Sequence, residues 1–460
     1  MIVPRNQLLW AVGACAVPAG LLSAAVGVVN ELDAGSTARV VHAAAVLGWA
    51  LAGLVLAAAV VDLALCWGRL HGIDTGVPAI VRLTRGREGV VPVRFRNRDQ
   101  QRITLRLGLA FSRDLCAEDP DQTLDVVLPA DHEEAVFDWR CTPLRRGRHT
   151  IHACCLERPS PLGFWDVRAR LHVDADLRVY PDLAAERRGL AAVFLNSRGI
   201  GAHAQRLVGK GRDFEKLREY IPGDSYLDIH WRASAKRGQP VTKIYQMERT
   251  QQVYVVLDTS RLSARPAGRR GDATQLERFL KAALILGQAA QRQGDNFGLV
   301  SFNNHVETFI RARNGATHFG ICRDAIFDAV SRAVSPDFDE LTAFIRSRLT
   351  KRALLVFLTS LDDPVLAESF TQHIRLVCDQ HLVLVNMIRA PEVAPLFSRP
   401  DVASTEDLYR SLGGHYRYQE LRELERVLQR EGVTLKSVDS AGLCPEVVSQ
   451  YMNIKQRQLL

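Results

Sequence analysis

Asp224, Asp228 and His230 come nearest, by residue type and spacing, to a reactive cluster. Two carboxylates and an imidazole can hold a divalent metal between them or divide the work of general acid and base. Leu227, Ile229 and Trp231 alternate with Asp228 and His230, which predicts a strand whose polar face carries the acid and the imidazole together. No third ligand follows at a suitable spacing, and Arg218, Arg232 and Arg237 are at hand to pair with the acids in a polar domain junction. Ion pairing is therefore the stronger reading, and a metal-dependent hydrolase using Asp228 and His230 is the alternative. Gly209-x-Gly211 lacks the Gly-Lys-Ser/Thr of a phosphate loop and follows no apolar strand, which argues against nucleotide binding. Asp62, inside an apolar run, invites a functional reading as intramembrane acids do, but its nearness to Trp67 and Arg69 suits interfacial snorkelling or helix pairing better.

That run is one of two near the N-terminus. Leu8 to Val29 carries no charge, and Val40 to Trp67 carries only Asp62. At 1.5 Å per residue each is long enough to cross about 30 Å of hydrocarbon. A cleaved signal peptide fits poorly, because only Arg5 precedes the first run and a second run follows at once. A buried hairpin of a soluble domain is the other reading set aside. Arg5 on one outer side and Arg69, Arg82, Arg85 and Arg87 on the other, against a loop that sets Glu31 and Asp33 against Arg39, place both outer ends in the cytoplasm. The expectation is a two-span protein of the cell (inner) membrane with cytoplasmic soluble domains, its first partner being the lipid bilayer. Nine cysteines without regular spacing give neither a disulfide framework nor a zinc pattern. The net charge of +8 is spread over scattered arginines with no aromatic-interleaved patch, so an anionic membrane face explains it better than nucleic acid does.

After the two helices of 1–70, residues 76–181 read as short alternating strands. In Val90 to Asn97, Val91, Val93 and Phe95 alternate with Arg94 and Arg96; similar segments follow to Tyr180, as in a small β-sandwich. Residues 182–250 are a connecting segment. Residues 251–460 alternate apolar strands (Val253 to Leu257, Phe297 to Phe302, Ala353 to Leu358, Leu382 to Ile388) with amphipathic helices, which predicts a doubly wound α/β domain with a parallel sheet covered on both faces. In the helix from about Thr274 to Arg292, Leu276, Phe279, Leu280, Ala283 and Leu284 share one stripe. Val433 to Val438 is a candidate edge strand, and a closing helix from Pro445 buries Val448, Tyr451 and Met452.

Within the connecting segment, Phe214, Leu217 and Ile221 predict a short helix stopped by Pro222 and Gly223, and Pro240 to Tyr245 predicts a strand. The run Gly-x-Gly-x-Asp-Phe-x-x-Leu-Arg-Glu-Tyr-x-Pro-Gly-Asp, from Gly209 to Asp224, continues through Ile229, Trp231, Arg232, Ala233, Ala235, Lys236 and Arg237. It resembles the signature of the bacterial domain-of-unknown-function 58 family. Phe214, Leu217, Arg218, Tyr220, Pro222, Gly223, Asp224, Trp231, Arg232, Lys236 and Arg237 carry the resemblance, and the surrounding domain order extends it over the chain. It implies a C-terminal domain similar to von Willebrand factor A domains and a MoxR-type AAA+ ATPase as partner, with other membrane or envelope proteins as further candidates. It implies no known reaction.

Domains of that type often hold a cation through Asp-x-Ser-x-Ser, a distant Thr and a further Asp, hard oxygen ligands suited to magnesium or manganese. Here Asp258 and Ser260 match, Leu262 replaces the second Ser, no Thr aligns before Ala353, and Ser360 stands where the Asp belongs. The expectation is a degenerate site and no resident cofactor, magnesium being the ion such a site would take. The function expected is that of a non-enzymatic interaction or adaptor protein.

Overall fold

A computed structural model describes the chain outside residues 32–34, 68–69, 71, 99–101, 112–114, 116–122, 130–133, 190–212, 247–250, 269–272, 397, 399–403 and 458–460. Gly209 and Gly211 of the signature lie outside the described residues. The chain divides into two compact units, Met1–Tyr180 and Pro181–Leu460.

In the first unit, α1 (Asn6–Glu31) and α2 (Gly35–Cys66) pack on each other. A Cβ at Gly48 would lie 2.7 Å from the Cβ of Ala19, so this glycine allows the helices their close approach. Trp49 Nε1 adds a hydrogen bond to Ser23 Oγ at 3.1 Å. Only 6% and 17% of their most apolar windows are buried, where a core hairpin of a soluble protein would be mostly covered. Both helices are long and apolar enough to cross a membrane.

The rest of this unit is a pair of sheets. One has the order β1 (Ile2–Pro4), β9 (Trp165–Tyr180), β8 (Gly147–Pro159), β5 (Ile103–Leu109), β6 (Thr123–Leu128), with β3 (Ile80–Thr84) also on β9. The other is β2 (Ile73–Gly76), β4 (Gly89–Asn97), β7 (Glu134–Cys141). Alternation puts Val91, Val93 and Phe95 into a core with Leu105, Leu107, Trp139 and Ile151, while Arg94 and Arg96 face out. β1 to β3, too short for a periodic signal, were not expected. β1 pairs antiparallel with β9 (Ile2 opposite Val167), and Cys66 and Leu70 at the end of α2 join the sandwich core. Both outer ends of the helical hairpin are thus built into the same sandwich.

Asp62 has neither of its expected roles. It is fully buried and accepts hydrogen bonds from Ser160 Oγ at 2.6 Å, Leu162 N at 3.0 Å and Phe164 N at 3.3 Å. Trp165 Nε1 donates to Ala59 O at 2.8 Å beside it. The acid ties the helix to the β8–β9 loop instead of reaching for the bilayer surface.

In the second unit a six-stranded sheet has the order β14 (Val306–Arg313), β13 (Asn296–Phe302), β12 (Gln252–Asp258), β15 (Leu354–Leu358), β16 (Leu382–Ile388), β17 (Thr434–Val438). All neighbours are parallel except β14, which runs antiparallel to β13 and makes the sheet mixed. Successive residues of β12 point to opposite faces. Val253, Val255 and Leu257 enter one core with α4 (Gln275–Arg292), while Tyr254, Val256 and Phe357 enter another with Phe338 and Leu341 of a helix at Phe338–Arg348. Thr274 caps α4 by accepting from Glu277 N at 3.3 Å. The closing helix, Leu443–Arg457, buries Val448, Tyr451 and Met452. It is pinned by fully buried Asp295, which accepts from Tyr451 Oη, from Lys455 Nζ at 2.7 Å and from Gln251 N at 3.1 Å.

Candidate functional site

The signature segment is a β-hairpin with a helical insert. β10 (Asp213–Glu219) pairs antiparallel with β11 (Val241–Gln246), Arg218 opposite Thr242, with a register shift between Phe214 and Lys216. The helix expected through Phe214 and Leu217 is therefore a strand. Their spacing suits either period, and cross-strand pairing with β11 decides for the extended form. The strand expected from Leu227 to Trp231 is likewise replaced, by a 3-10 turn at Tyr226–Asp228 and a helix, α3 (Trp231–Arg237). Asp228 and His230 consequently do not share a strand face. His230 Nδ1 accepts the amide of Ala233 at 3.2 Å as the cap of α3, a use that occupies its lone pair.

The remaining signature residues build the frame. Arg218 Nη2 reaches Asp224 Oδ1 at 2.7 Å and Oδ2 at 2.9 Å, and Ile221 N donates to Asp224 Oδ2 at 3.1 Å. The Ile221 amide first, with the Arg218 guanidinium adding to it, holds the Asp224 carboxyl below the usual carboxylate range. Gly223 sits at φ 111°, which a residue with a Cβ rarely adopts, so the turn after Pro222 requires glycine. Ser234 Oγ donates to His230 O at 3.1 Å and accepts from Val241 N at 2.9 Å, fastening α3 to β11. Gly238, left-handed at φ 72°, ends α3, with Lys236 and Arg237 in its last turn. Tyr220 stacks on Tyr226, ring centroids 5.9 Å apart.

On this frame the apolar side chains face outward. Tyr226 is 74% exposed, Leu227 92%, Trp231 69% and Ile221 51%. Arg232, Lys236 and Arg237 are exposed beside them. Ile229 and Val241 turn in.

The second place of interest is the carboxyl end of β12 and β15, where the chain turns to opposite sides of the sheet and where α/β folds bind ligands. Asp258, Thr259, Ser260, Thr359 and Ser360 are all buried there. Asp258 Oδ1 accepts from Ser260 N at 2.8 Å and Oδ2 from Thr359 Oγ1 at 2.6 Å. Ser260 Oγ accepts from Leu262 N at 3.3 Å, and Leu262 itself is buried. Ser360 Oγ donates to Asp362 Oδ2 at 2.9 Å, with the Arg265 guanidinium 3.5 Å from the same oxygen. These residues do not fit the cation set that the resemblance implies. One carboxylate points in with both oxygens engaged, and the other already has a guanidinium. Among the described residues no group of three or more His, Cys, Asp or Glu could hold a metal. Burial pushes the Asp258 carboxyl up, against the opposing pull of the Thr359 and Ser260 hydrogen bonds. Thr359, to which the sequence reading gave no role, is the side chain that satisfies Asp258.

Residues 216–396 match the family described as protein of unknown function DUF58. The uncharacterized protein YeaD of Bacillus subtilis (strain 168) is 21% identical over 199 residues, which is 42% of this chain and 46% of that protein. The chain thus spans about half the length of the curated relative it matches. Among solved structures, the conserved hypothetical protein BatB from Bacteroides thetaiotaomicron is 14% identical, with 45% of this chain and 99% of that one covered at a TM-score of 0.30. An aerotolerance-related membrane protein from Bacteroides fragilis NCTC 9343 is 15% identical, with 44% and 98% covered at a TM-score of 0.27. The SpRpn10 VWA domain is 9% identical, with 44% and 95% covered at a TM-score of 0.27. The matched residues 216–396 take in most of the signature hairpin and the sheet from β12 to β16.

Proposed function

We propose that the chain is a membrane-anchored, non-enzymatic interaction protein whose signature hairpin docks a protein partner. The carrying observation is the exposure of Tyr226, Leu227 and Trp231, at 74%, 92% and 69%, on a backbone fixed by Arg218–Asp224 and by Ser234. Aromatic and apolar side chains presented on a rigid frame bind at low entropic cost, and aromatic and arginine side chains dominate binding hot spots. Arg232, Lys236 and Arg237 add a cationic rim that favours an acidic partner surface. The partner that the family resemblance favours is a MoxR-type AAA+ ATPase, with other membrane or envelope proteins as candidate clients. On this reading α1 and α2 are spans of the inner membrane and the soluble units lie in the cytoplasm. The capping role of His230 favours an adaptor over a hydrolase, and the engaged oxygens of Asp258 favour at most weak magnesium binding.

The test is mild detergent extraction of the tagged chain from its native membrane, wild type beside Trp231→Ala, with mass spectrometry of what co-purifies. An ATPase recovered with the wild type and lost from a folded, membrane-inserted Trp231→Ala supports the proposal. The same partner recovered equally by both overturns it.

A further inference from the structure

A cavity of about 1080 Å³ lies in the first unit where α2 ends, large enough for a drug-sized or lipid ligand. Cys66, Trp67, Leu70 and Ile73 form one wall, and Leu156 and Leu171 contribute to the other. The cavity runs over β9 where that strand lacks a neighbour on one side. β1 pairs with β9 only at Trp165–Val167, and β3 only from Asp176 onward. Over the stretch between, side chains from both sheet faces reach the same space, apolar Leu171 from one and Arg168 and Arg170 from the other.

The charges on its wall are unequal in availability. Asp74 is held by Arg98 at 2.6 Å, and Glu157 is shared by Arg168 at 2.7 Å and Arg106 at 3.4 Å. Arg170 is exposed, and no carboxylate among the described residues pairs with it. Trp67, 85% exposed at the end of α2, has the placement of a headgroup-level anchor. An apolar chamber with an available guanidinium, opening at the end of a span, matches a molecule with a hydrocarbon tail and an anionic head.

We propose that this cavity binds an anionic phospholipid, its phosphate on Arg170 and an acyl chain along Leu70, Ile73 and Leu171. The site rests on the reading of α1 and α2 as spans and is independent of the signature hairpin. It would make the sandwich sense the charge of the leaflet beside it.

The full-length protein is reconstituted in nanodiscs of equal phosphatidylglycerol and phosphatidylcholine, re-extracted in delipidating detergent, and its retained lipid is measured by mass spectrometry. One guanidinium contact predicts phosphatidylglycerol enriched about fivefold over the input. Arg170→Ala returns the ratio to the input without loss of the melting transition. Gly108→Leu fills the cavity from its floor and lowers total retention. A Cβ there meets only Thr123 Cγ2 at 3.8 Å and Cys155 Cβ at 3.9 Å, ordinary contacts, and a retained melting transition is the control for the larger side chain. Wild-type protein retaining lipid at the input ratio, or a co-purified peptide in the cavity, overturns the lipid site alone. Recovery of the chain in the soluble fraction of cells overturns the membrane reading and this site with it.

Discussion

Ser160 donates to Asp62 across 98 positions of sequence at 2.6 Å, joining the end of the second apolar helix to the β8–β9 loop. With two backbone amides of the same loop on the same carboxylate, the helix end and the sandwich form one piece. A movement of the helical hairpin is thereby transmitted to the sheet. Removing one partner of a buried, charge-assisted set leaves its donors unpaired. Asp62→Ala should cost about 3 kcal/mol and open residues 160–164 to protease in detergent. Unchanged melting and cleavage would contradict the clamp.

The Asp258 carboxyl, raised by burial, holds its proton to higher pH in the folded chain than in the unfolded one. Its contribution is therefore most favourable below the unfolded value of about 3.9 and is lost as pH rises through the folded value. Asp258→Asn keeps an acceptor for Ser260 N while removing the charge. It should melt at or above the wild-type temperature at neutral pH, and Asp258→Ala below it. Millimolar magnesium should leave the wild-type melting temperature unmoved; a rise in the wild type that Asp258→Asn abolishes would show a cation site.

Tyr451 carries the opposite kind of dependence on a neighbour. Its phenol is pushed up by burial and by the Asp295 carboxylate, so it donates at all accessible pH. Tyr451→Phe leaves Asp295 with Lys455 and the Gln251 amide, and a loss of about 1 to 2 kcal/mol in denaturant melts is expected. A loss below about 0.3 kcal/mol would mean that the hydroxyl contributes nothing net.

Asp224 titrates below the usual range because the Ile221 amide and Arg218 favour its charged form. The stability it contributes to the hairpin is present above the unfolded value of about 3.9 and is lost as pH falls through the lower folded value. Partner capture should hold from neutral pH to about pH 5 and fall below about pH 4, and Arg218→Ala should weaken it already at neutral pH. Capture that is indifferent to Arg218→Ala would separate the ion pair from binding.

Long periodic elements were legible and short ones depending on distant partners were not. The stripe of Leu276, Phe279, Leu280 and Ala283 with Thr274 ahead of it specifies α4 by itself, because cap and apolar face are both local. The alternation of Val91, Val93 and Phe95 specifies β4 for the same reason. Phe214, Leu217 and Ile221 misled, because their helix-like spacing yields to the pairing of Phe214 with Tyr245 and Leu217 with Lys243, residues beyond the whole insert. Asp258 was legible as a candidate, but that its oxygens are taken depends on Thr359, 101 positions away. Asp62 was singled out by chemistry, while its partners, arriving from the sandwich, left no mark near it in sequence.

The most direct test of the docking claim puts a photo-reactive amino acid at Leu227, the most exposed apolar position of the signature at 92%, in cells that make the full chain. Light should yield a discrete adduct whose mass identifies a protein partner, and Trp231→Ala in the same chain should abolish it while a probe at exposed Val136 of β7 gives none. No adduct at Leu227, or one that survives Trp231→Ala in a folded protein, would contradict the hairpin as the docking surface.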